Sequence, residues 1–340
     1  MTRAVSRSGV TAVQGERVLV GDIGGTNARF ALVKPGTVEL THIVTLATAD
    51  FPGIEAAIQR YAEQVGASGI HRACLALACP VDGDDIDMTN NHWLFRRQQL
   101  MNHLGLKQLK LVNDFTAMAL GMLHLQPHEL LDVHRGDSGR YSAERARAAR
   151  LVIGPGTGLG VSGLMPVRDG WVPLSGEGGH VSFAPTNAEE SAILQGLQKR
   201  YARVSVERIL SGQGLLELYQ VMADIEGLAA VCRSPVAITA QAQADEHSLG
   251  RRALNRFFAI LGAVTGDQAL TLGARGGVYV CGGILPRVHD LFLASGFHAA
   301  MVNKGRFAQY LADVPVWLCL AENPGLLGAA AALANDEVSG

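Results

Sequence analysis

Short apolar runs that end in glycine-rich turns are the most regular pattern in this chain. Two segments, RVLVGDIGGTNARFALV and ARLVIGPGTGLGVSGLM, contain two apolar runs joined by such a turn, and GVYVCGGILPR contains one run before a turn. Paired apolar runs around a glycine-rich turn are typical of a β-hairpin. The pattern therefore predicts two hairpins whose turns closely approach another group.

The apolar pattern also predicts the elements between and after these hairpins. Strands are expected at 18–20, 30–33, 41–48, 73–78 and 110–112, and helices at 53–65, 115–123, 249–272 and 326–334. Strands interleaved with helices favour an α/β fold with a largely parallel central sheet. In 249–272 the apolar residues recur at helical spacing, which indicates a buried helix.

The chain length of 340 residues favours two domains, because single cores usually split beyond roughly 250 residues. The hairpin pattern restarts at Leu151, so the second domain is expected to repeat the plan of the first. Residues 127–150 are polar and are interpreted as a surface excursion between the domains. Further on, Ser205 is expected to begin a helix over VERIL, and Gly212 to end it.

Composition and charge exclude several classes of function. The formal net charge of −2 disfavours binding to nucleic acid, and no segment approaches the roughly 18 apolar residues of a membrane helix. The five cysteines are scattered without a CxxC pair, which favours a reducing compartment. Residues 1–15 lack the apolar core of a signal peptide and are expected to form a flexible tail, so the predicted location is the cytoplasm.

The common nucleotide and hydrolase motifs are absent: there is no GxxxxGK[ST], HExxH or GxSxG. The stretch GLGVSG at 158–163 matches GxGxxG, but it enters a strand-like run instead of opening a helix. Any binding of phosphate must therefore use the hairpin turns.

Two glycine-rich turns, one in each half of the chain, are candidates for binding a nucleoside triphosphate from opposite sides. Without Cβ atoms, successive N–H groups can converge on an oxyanion; the alternative is a flexible loop. The candidate residues are Gly24, Gly25, Thr26 and Asn27 in one turn and Gly156, Thr157 and Gly158 in the other. Asp22 would then hold Mg²⁺ through water, or would only accept hydrogen bonds from a turn.

Seven motifs in a fixed order carry a resemblance to a known family. They are GDIGGTNAR, LVNDFTAMALG, GPGTGLG, SGEGGHVSF, VERILSGQGL, YVCGGI and GLLGAA, and together they resemble bacterial ATP-dependent glucokinases from about residue 16 onward. The resemblance implies two ribonuclease H-like α/β domains around a cleft, the actin-like ATPase and sugar kinase fold. The small domain would be 16–122, completed by a C-terminal helix at about 322–340, and the large domain 123–321. The resemblance also suggests a homodimer.

The resemblance implies a zinc-free enzyme. Zinc-bearing relatives follow an EGGH-like motif with CxCGxxGC, whereas this chain continues after His180 as VSFAPTNAEESA. No zinc is therefore expected, and the cofactors are ATP and Mg²⁺. His180 would contact the sugar and not a metal ion.

The same resemblance makes Asp114 the base that accepts the proton of the sugar's 6-hydroxyl, and makes Asn113 a ligand of a neighbouring hydroxyl. The residues alone leave a second interpretation open. Asn113-Asp114 ends a strand and opens a helix, so Asp114 could be only the N-cap of the helix at Phe115.

The remaining sugar contacts implied by the resemblance are Glu177, His180 and Glu207. A carboxylate can accept hydrogen bonds from two adjacent hydroxyls, and the glycines of SGEGGH would permit close approach of a small ligand. As local alternatives, His180 is a structural hydrogen-bonding residue and Glu207 favours a helix dipole.

Gly282 and Gly283 match the family's adenosine motif, or they form an ordinary turn from a strand to a helix. The expected activity is transfer of the γ-phosphoryl group of ATP to the 6-hydroxyl of glucose. The rivals are a kinase for another hexose or an amino sugar, a sugar-binding regulator, and an ATP-driven protein of the actin or chaperone type.

Overall fold

The structure is a computed structural model that describes residues 17–89, 91–136, 143–335 and 338. Its strands are β1 (Val18–Ile23), β2 (Asn27–Val33), β3 (Thr41–Ala47), β4 (Arg72–Leu77), β5 (Asp85–Asp87), β6 (Leu94–Arg96), β7 (Gln108–Asn113), β8 (Leu130–His134), β9 (Arg150–Pro155), β10 (Leu159–Val167), β11 (Gly170–Leu174), β12 (Val278–Val280) and β13 (Val316–Cys319). The predicted tail 1–15 lies outside the described residues.

The helices alternate with these strands, as expected for an α/β fold. They are α1 (Ile54–Val65), α2 (Arg97–Leu104), α3 (Asp114–Gly121), α4 (Ala143–Ala146), α5 (Ala188–Gln198), α6 (Gly212–Glu226), α7 (Pro235–Ala244), α8 (Leu249–Leu272), α9 (His289–Leu293), α10 (Phe297–Val302), α11 (Ala308–Ala312) and α12 (Pro324–Leu333). None of the described helices has the length and apolar composition needed to cross a membrane.

The chain divides into two compact units. Among the described residues, unit 1 contains those up to His124 and those from Asn323 on, and unit 2 contains those of Leu125–Glu322. Each unit has its own buried apolar cluster around its own main sheet. Burial of these clusters is the main force that holds each unit together.

The main sheet of unit 1 has the strand order β3-β2-β1-β4-β7. Strands β3, β2 and β1 are antiparallel neighbours, whereas β1, β4 and β7 are parallel. In the register of the parallel strands, Ile23 pairs with Leu77 and Leu77 with Asn113. The carboxyl ends of β1 and β7 therefore meet the same edge of the sheet, about 10 Å apart across β4.

Helix α12 returns to unit 1 and packs closely on α3. A Cβ atom at Gly328 would lie 1.6 Å from the carbonyl oxygen of Ala117, and one at Gly121 would lie 2.2 Å from that of Pro324. Only glycine permits this approach of two helix backbones. The last helix is thus built into the same layer as α3, which begins at the predicted catalytic acid.

The main sheet of unit 2 has the order β11-β10-β9-β12-β13-β8. The pairs β9–β12 and β12–β13 are parallel and the other pairs are antiparallel. Helix α8 has the predicted bounds. Ser248 caps it by accepting the N–H of Arg251, and it ends at Gly273 with a left-handed φ of 62°.

Both predicted hairpins are confirmed, since β1 pairs antiparallel with β2 and β9 with β10. The prediction of largely parallel sheets is wrong, because these hairpins bring antiparallel strands into each sheet. The interpretation of 127–150 as an excursion is also wrong in part. Residues 130–134 form β8, a half-buried edge strand too short to leave a clear apolar signature, while 137–142 lie outside the described residues.

The helix expected after Ser205 is also corrected. Val206–Arg208 form only a single 3₁₀ turn, and the Ser205 side chain does not cap it. Gly212 does not end a helix but begins α6, and the hydroxyl of Ser211 caps α6 by accepting the N–H of Gly214 at 3.0 Å. Glycine occurs at both kinds of helix boundary, so the sequence pattern did not show on which side of Gly212 the helix lies.

Candidate functional site

The turn between β1 and β2, Gly24–Asn27, is held by side chains remote in the sequence; we call it turn 1. The hydroxyl of Thr48 donates to the carbonyl of Gly25 at 2.8 Å, and Nδ2 of Asn91 donates to that of Gly24 at 3.1 Å. The N–H of Gly24 donates to the carbonyl of Asn27 and closes the turn. The carbonyl oxygens of turn 1 are thus engaged by the protein.

The amide groups of turn 1 have the opposite character. For the N–H groups of Gly25 and Thr26 no acceptor is found among the residues that the structure describes. Thr26 is exposed and Gly25 is half-buried. Adjacent N–H groups of this kind are suited to an anion such as phosphate.

Asp22 lies on β1, two residues before turn 1, with its side chain 20% exposed. Burial raises the pKa of the Asp22 carboxyl, and the Arg29 guanidinium partly opposes the shift. Nη1 of Arg29 is 3.5 Å from Oδ2, a long contact, and a Cβ at Gly325 would lie 2.8 Å from Cγ of Asp22. Asp22 therefore pairs with a cation and is not the acceptor of the turn's N–H groups that local sequence offered as an alternative.

A hard carboxylate oxygen that is loosely paired and partly exposed fits Mg²⁺ held through water. Within the described part of the chain no cluster of three or more histidine, cysteine or acidic side chains could hold a metal ion. One carboxylate suffices here, since Mg²⁺ commonly keeps several waters and takes further oxygens from substrate phosphates.

Asn113 and Asp114 stand where β7 passes into α3. Oδ1 of Asn113 accepts the N–H groups of Phe115 at 2.9 Å and Thr116 at 3.2 Å, so Asn113 is the N-cap. The cap role that local sequence left open for Asp114 therefore belongs to its neighbour. The side-chain oxygen Oδ1 of Asn113 already accepts two N–H groups of the helix, so the side-chain amide can contact a ligand by donating from Nδ2.

Asp114 is half-buried in the first turn of α3, and its Oδ1 accepts the N–H of Phe115 at 2.9 Å. The negative charge of Asp114 acts on the thiol of Cys79, which follows the neighbouring strand β4. Burial, and then the charges of Asp114 and Asp87, raise the pKa of this thiol to about 11. Asp22, Asn113 and Asp114 thus share the carboxyl edge of the unit 1 sheet, where ligands of open α/β sheets commonly bind.

The turn between β9 and β10, Gly156–Gly158, is turn 2. It is closed by the N–H of Gly156, which donates to the carbonyl of Gly158 at 2.8 Å. The N–H of Gly212, at the start of α6, donates to the carbonyl of Gly156 at 2.9 Å. Thr157 at the tip is exposed, so its hydroxyl can reach a ligand.

Glu207 holds the other side of turn 2. Its Oε2 accepts the N–H of Leu159 at 2.9 Å. A Cβ atom at Gly158 would lie 2.5 Å from the same oxygen, so the contact requires glycine there. The helix-dipole alternative for Glu207 is wrong, because its 3₁₀ turn has three residues and its carboxylate binds a backbone N–H of turn 2's flank.

Three of the predicted sugar contacts come together in unit 2. Nε2 of His180 is 3.8 Å from Oε2 of Glu177, and Nδ1 is 3.9 Å from Oε1 of Glu207. The side chains of Glu177, His180 and Glu207 are 71%, 56% and 31% exposed. An imidazole between an exposed and a half-buried carboxylate offers several acceptors and a donor, a set suited to the hydroxyls of a sugar.

Two glycines of SGEGGH, Gly178 and Gly179, are required for packing on a neighbouring strand. A Cβ at Gly178 would lie 2.8 Å from the Val161 side chain, and one at Gly179 would lie 2.1 Å from the carbonyl oxygen of Leu159. These glycines let the 3₁₀ turn Gly178–His180 pack on β10. They therefore position Glu177 and His180, and room for a ligand beside them stays a prediction.

Gly282 and Gly283 differ sharply from each other. Gly282 has a φ of 96°, and a Cβ there would lie 2.2 Å from the carbonyl oxygen of Pro155. No described atom lies within 4 Å of a Cβ built on Gly283. Gly282 is thus needed for packing on β9, and Gly283 is the position open to a nucleoside.

Several supporting residues were not predicted from the sequence. Thr48 and Asn91 hold turn 1, Arg29 pairs with Asp22, and a guanidinium N–H of Arg203 donates to the carbonyl of His180. Thr48 and Asn91 lie 23 and 67 residues from their partners, and no local pattern marks them.

Known proteins resemble this chain in sequence and in fold. The family model described as Glucokinase matches residues 19–336. A protein named Glucokinase from Chromohalobacter salexigens is 50% identical over 321 residues, which are 94% of this chain and 98% of the relative. The crystal structure of glucokinase from an Antarctic psychrotroph is 34% identical with a TM-score of 0.82, covering 95% of this chain and 100% of that one.

A more distant structure supports the fold alone. It is a ROK family glucokinase from Streptomyces griseus in complex with glucose and AMPPNP, 18% identical, with a TM-score of 0.62 over 92% of this chain and 98% of that one.

Proposed function

The chain belongs to the glucokinase family, and on that premise we propose that it transfers the γ-phosphoryl group of ATP to the 6-hydroxyl of glucose, forming glucose 6-phosphate and ADP. The observation that carries the proposal is the position of Asp114. Its half-buried carboxylate follows β7 on the sheet edge that also carries Asp22 and turn 1. Phosphoryl transfer needs mainly such positioning and electrostatic stabilisation.

Asp114 is the general base in this proposal. Its Oδ1 is oriented by the N–H of Phe115, and the cap made by Asn113 fixes the start of α3. The carboxylate would accept the proton of the 6-hydroxyl as the oxygen attacks phosphorus. Such a base is typically worth about 10²- to 10⁴-fold in rate.

We assign the sugar contacts to Asn113, Asp114, Glu177, His180 and Glu207. Nδ2 of Asn113 donates to a hydroxyl oxygen, and the carboxylates of Glu177 and Glu207 accept from hydroxyl groups. The support is that Glu177, His180 and Glu207 already form one chain of polar groups. A sugar without a matching hydroxyl would leave such groups unpaired, which disfavours its binding.

We assign the nucleotide to the two turns and to the adenosine motif. The N–H groups of Gly25 and Thr26, with those of Asn27, Thr157 and Gly158, would face the phosphates, and Gly156 would contribute by shaping turn 2. The open Gly283 would admit the nucleoside beside Gly282. Asp22 would hold Mg²⁺ through water, and the ion would neutralise charge on the phosphate oxygens. No zinc is included, because His180 is assigned to the sugar.

The proposal extends to assembly and location. We propose a homodimer in the cytoplasm, and we propose that the two units are the small and large domains expected from the sequence. None of the five cysteines, all within the described residues, forms a disulfide, which fits a reducing compartment. Sedimentation of the purified chain at several concentrations tests the dimer.

A panel of sugars tests the substrate and the position of transfer. With ATP and Mg²⁺, kcat/KM should be higher for glucose than for mannose, fructose or N-acetylglucosamine. The matched control is 6-deoxyglucose, which retains the other hydroxyls and should inhibit glucose phosphorylation competitively without forming ADP. A higher kcat/KM for N-acetylglucosamine, or ADP formation with 6-deoxyglucose, would contradict the proposal.

A further inference from the structure

The carboxylate of Glu207 faces two groups that belong to different parts of the proposed reaction. One oxygen accepts the backbone N–H of Leu159, directly after turn 2, and the other lies on the side of His180. We propose that Glu207 is a positioning residue that couples glucose binding to the conformation of turn 2, and so to nucleotide affinity. The inference rests on the proposed function, in which Glu207 contacts the sugar and turn 2 contacts the phosphates.

The segment that carries Glu207 holds turn 2 on both flanks. The Glu207 side chain binds the N–H of Leu159, and five residues later the N–H of Gly212 binds the carbonyl of Gly156. Between these two contacts lie Thr157, which is exposed, and Gly158, and their N–H groups face a ligand in the proposed function. Any change in the position of Glu207 is therefore passed directly to turn 2.

The segment itself is anchored in the unit 2 core. Val206, Ile209 and Leu210 are buried, and the N–H of Val206 donates to the carbonyl of Val181 at 2.9 Å. The backbone around Glu207 is therefore fixed, whereas its side chain is 31% exposed. The rotamer of this one side chain is the movable part of the link.

Glycine at 158 makes the link possible. An added Cβ would lie 2.5 Å from Oε2 of Glu207, although Gly158 does not adopt a left-handed φ. The requirement at this position is thus space for the carboxylate and not backbone freedom. In contrast, no described atom lies within 4 Å of a Cβ built on Gly156.

The proposed coupling arises because glucose would restrict the conformation of turn 2 before the nucleotide binds there. Hydrogen bonds from glucose hydroxyls to Glu207 would restrict its rotamers and so favour the bond to Leu159. Turn 2 would then be ordered before the nucleotide binds, and the nucleotide would lose less conformational entropy. By linkage, the nucleotide must raise the affinity for glucose by the same factor.

Glu177 lies near the same imidazole, that of His180, and can be compared with Glu207. It is also a proposed sugar contact, but its side chain is 71% exposed and no bond from it to turn 2 is found in the described part of the chain. Removing Glu177 should therefore weaken glucose binding without affecting the link. Comparing variants of Glu177 and Glu207 therefore distinguishes a residue that only contacts the sugar from one that also positions turn 2.

The test measures the dissociation constant of AMPPNP with Mg²⁺ by calorimetry, without glucose and at saturating glucose. The ratio of the two values should be about fivefold or more in the wild type. Glu207→Ala and Gly158→Ala should bring the ratio close to 1. Their matched controls, Glu177→Ala and Gly156→Ala, should keep the wild-type ratio. In steady state Glu207→Ala should raise KM for both substrates, and Glu177→Ala for glucose alone.

Three results would overturn the inference. The first is a ratio near 1 in the wild-type protein although glucose binds to it. The second is a ratio in Glu207→Ala that equals the wild-type value, and the third is a ratio in Glu177→Ala that falls as far as in Glu207→Ala. Hydrogen exchange of the Leu159 amide gives a second readout without activity. Glucose should slow this exchange in the wild type and not in Gly158→Ala. Failure of the proposed function has a different signature, since the wild type would then neither bind glucose nor form ADP with it.

Discussion

The two glycine-rich turns are similar in sequence and position but differ in what holds them. Each joins two antiparallel strands beside the parallel part of its sheet. Turn 1 is held through its carbonyls by the neutral side chains of Thr48 and Asn91, whereas turn 2 is flanked by a carboxylate, Glu207. The acid beside turn 1, Asp22, pairs with Arg29 and does not hold the turn.

This difference separates two uses of an acid beside a phosphate turn. A partly buried, loosely paired carboxylate is suited to a cation, because its charge is not already neutralised by the backbone. A carboxylate that accepts a backbone N–H instead determines the position of the turn. Turn 1 is therefore built independently of the proposed sugar contacts, and turn 2 depends on one of them.

The largest effect is expected from a residue in neither turn. Asp114→Asn keeps an acceptor for the N–H of Phe115 and removes the base, so kcat should fall about 10²- to 10⁴-fold with little change in stability. Because both turns stay intact, the dissociation constant of AMPPNP should not change. Asp87→Asn, which removes a second charge near Cys79, is the control and should retain the wild-type kcat.

Asp22→Asn tests the acid beside turn 1. If Asp22 holds Mg²⁺ through water, activity should fall about 10- to 100-fold. Because burial raises its pKa, the folded wild type retains a proton that the unfolded chain releases above a pH of about 3.9. As pH rises from about 3.9 through the raised pKa of folded Asp22, the stability of the wild type should thus fall relative to that of the variant.

Urea unfolding of both proteins in EDTA, from pH 4 to 8, measures this difference. The variant should be the more stable protein at pH 7, and the advantage should disappear at the acidic end. A variant that is less stable at pH 7 would show that the Arg29 contact outweighs the burial of the charge.

Gly282→Ala and Gly283→Ala test the proposed adenosine motif after β12. The first adds a Cβ 2.2 Å from the carbonyl oxygen of Pro155 at a φ of 96°, and should cost about 1–3 kcal/mol of stability. The second adds a Cβ in open space and should change stability by less than about 0.5 kcal/mol while raising KM for ATP. Thermal unfolding and steady-state kinetics would reveal the reverse pattern if the assignment were wrong.

The smallest effect is expected from Thr48→Val, which leaves the carbonyl of Gly25 without its 2.8 Å donor. Stability should fall by about 1 kcal/mol, and KM for ATP should rise. The factor by which glucose raises AMPPNP affinity should stay at the wild-type value. A loss of that factor as large as in Glu207→Ala would remove the distinction between the turns.

Local signals predicted much of the fold. The hairpins around both turns and the bounds of α8 were predicted because each has a strong local pattern, and the family resemblance is confirmed. Strand β8 was missed because it is a short, half-buried edge strand. The start of α6 was missed because Gly212 was interpreted as a stop.

The site was predictable in its residue types but not in its contacts. The side chain that caps α3 is Asn113, although both Asn113 and Asp114 had capping chemistry. Glu207 lies 48 residues from Leu159, so its bond to the flank of turn 2 exists only after both strands of the hairpin have formed. The packing of Gly178 and Gly179 on β10 was not predicted, because space for a ligand and space for a strand both require glycine.

Glucose-dependent formation of ADP is the most direct test of the account. The purified chain, given ATP and Mg²⁺, should form ADP and glucose 6-phosphate in equal amounts when glucose is present, and very little ADP without it. The two products can be followed by separate coupled assays on parallel samples. No glucose-dependent ADP, or ADP without glucose 6-phosphate, would contradict the account.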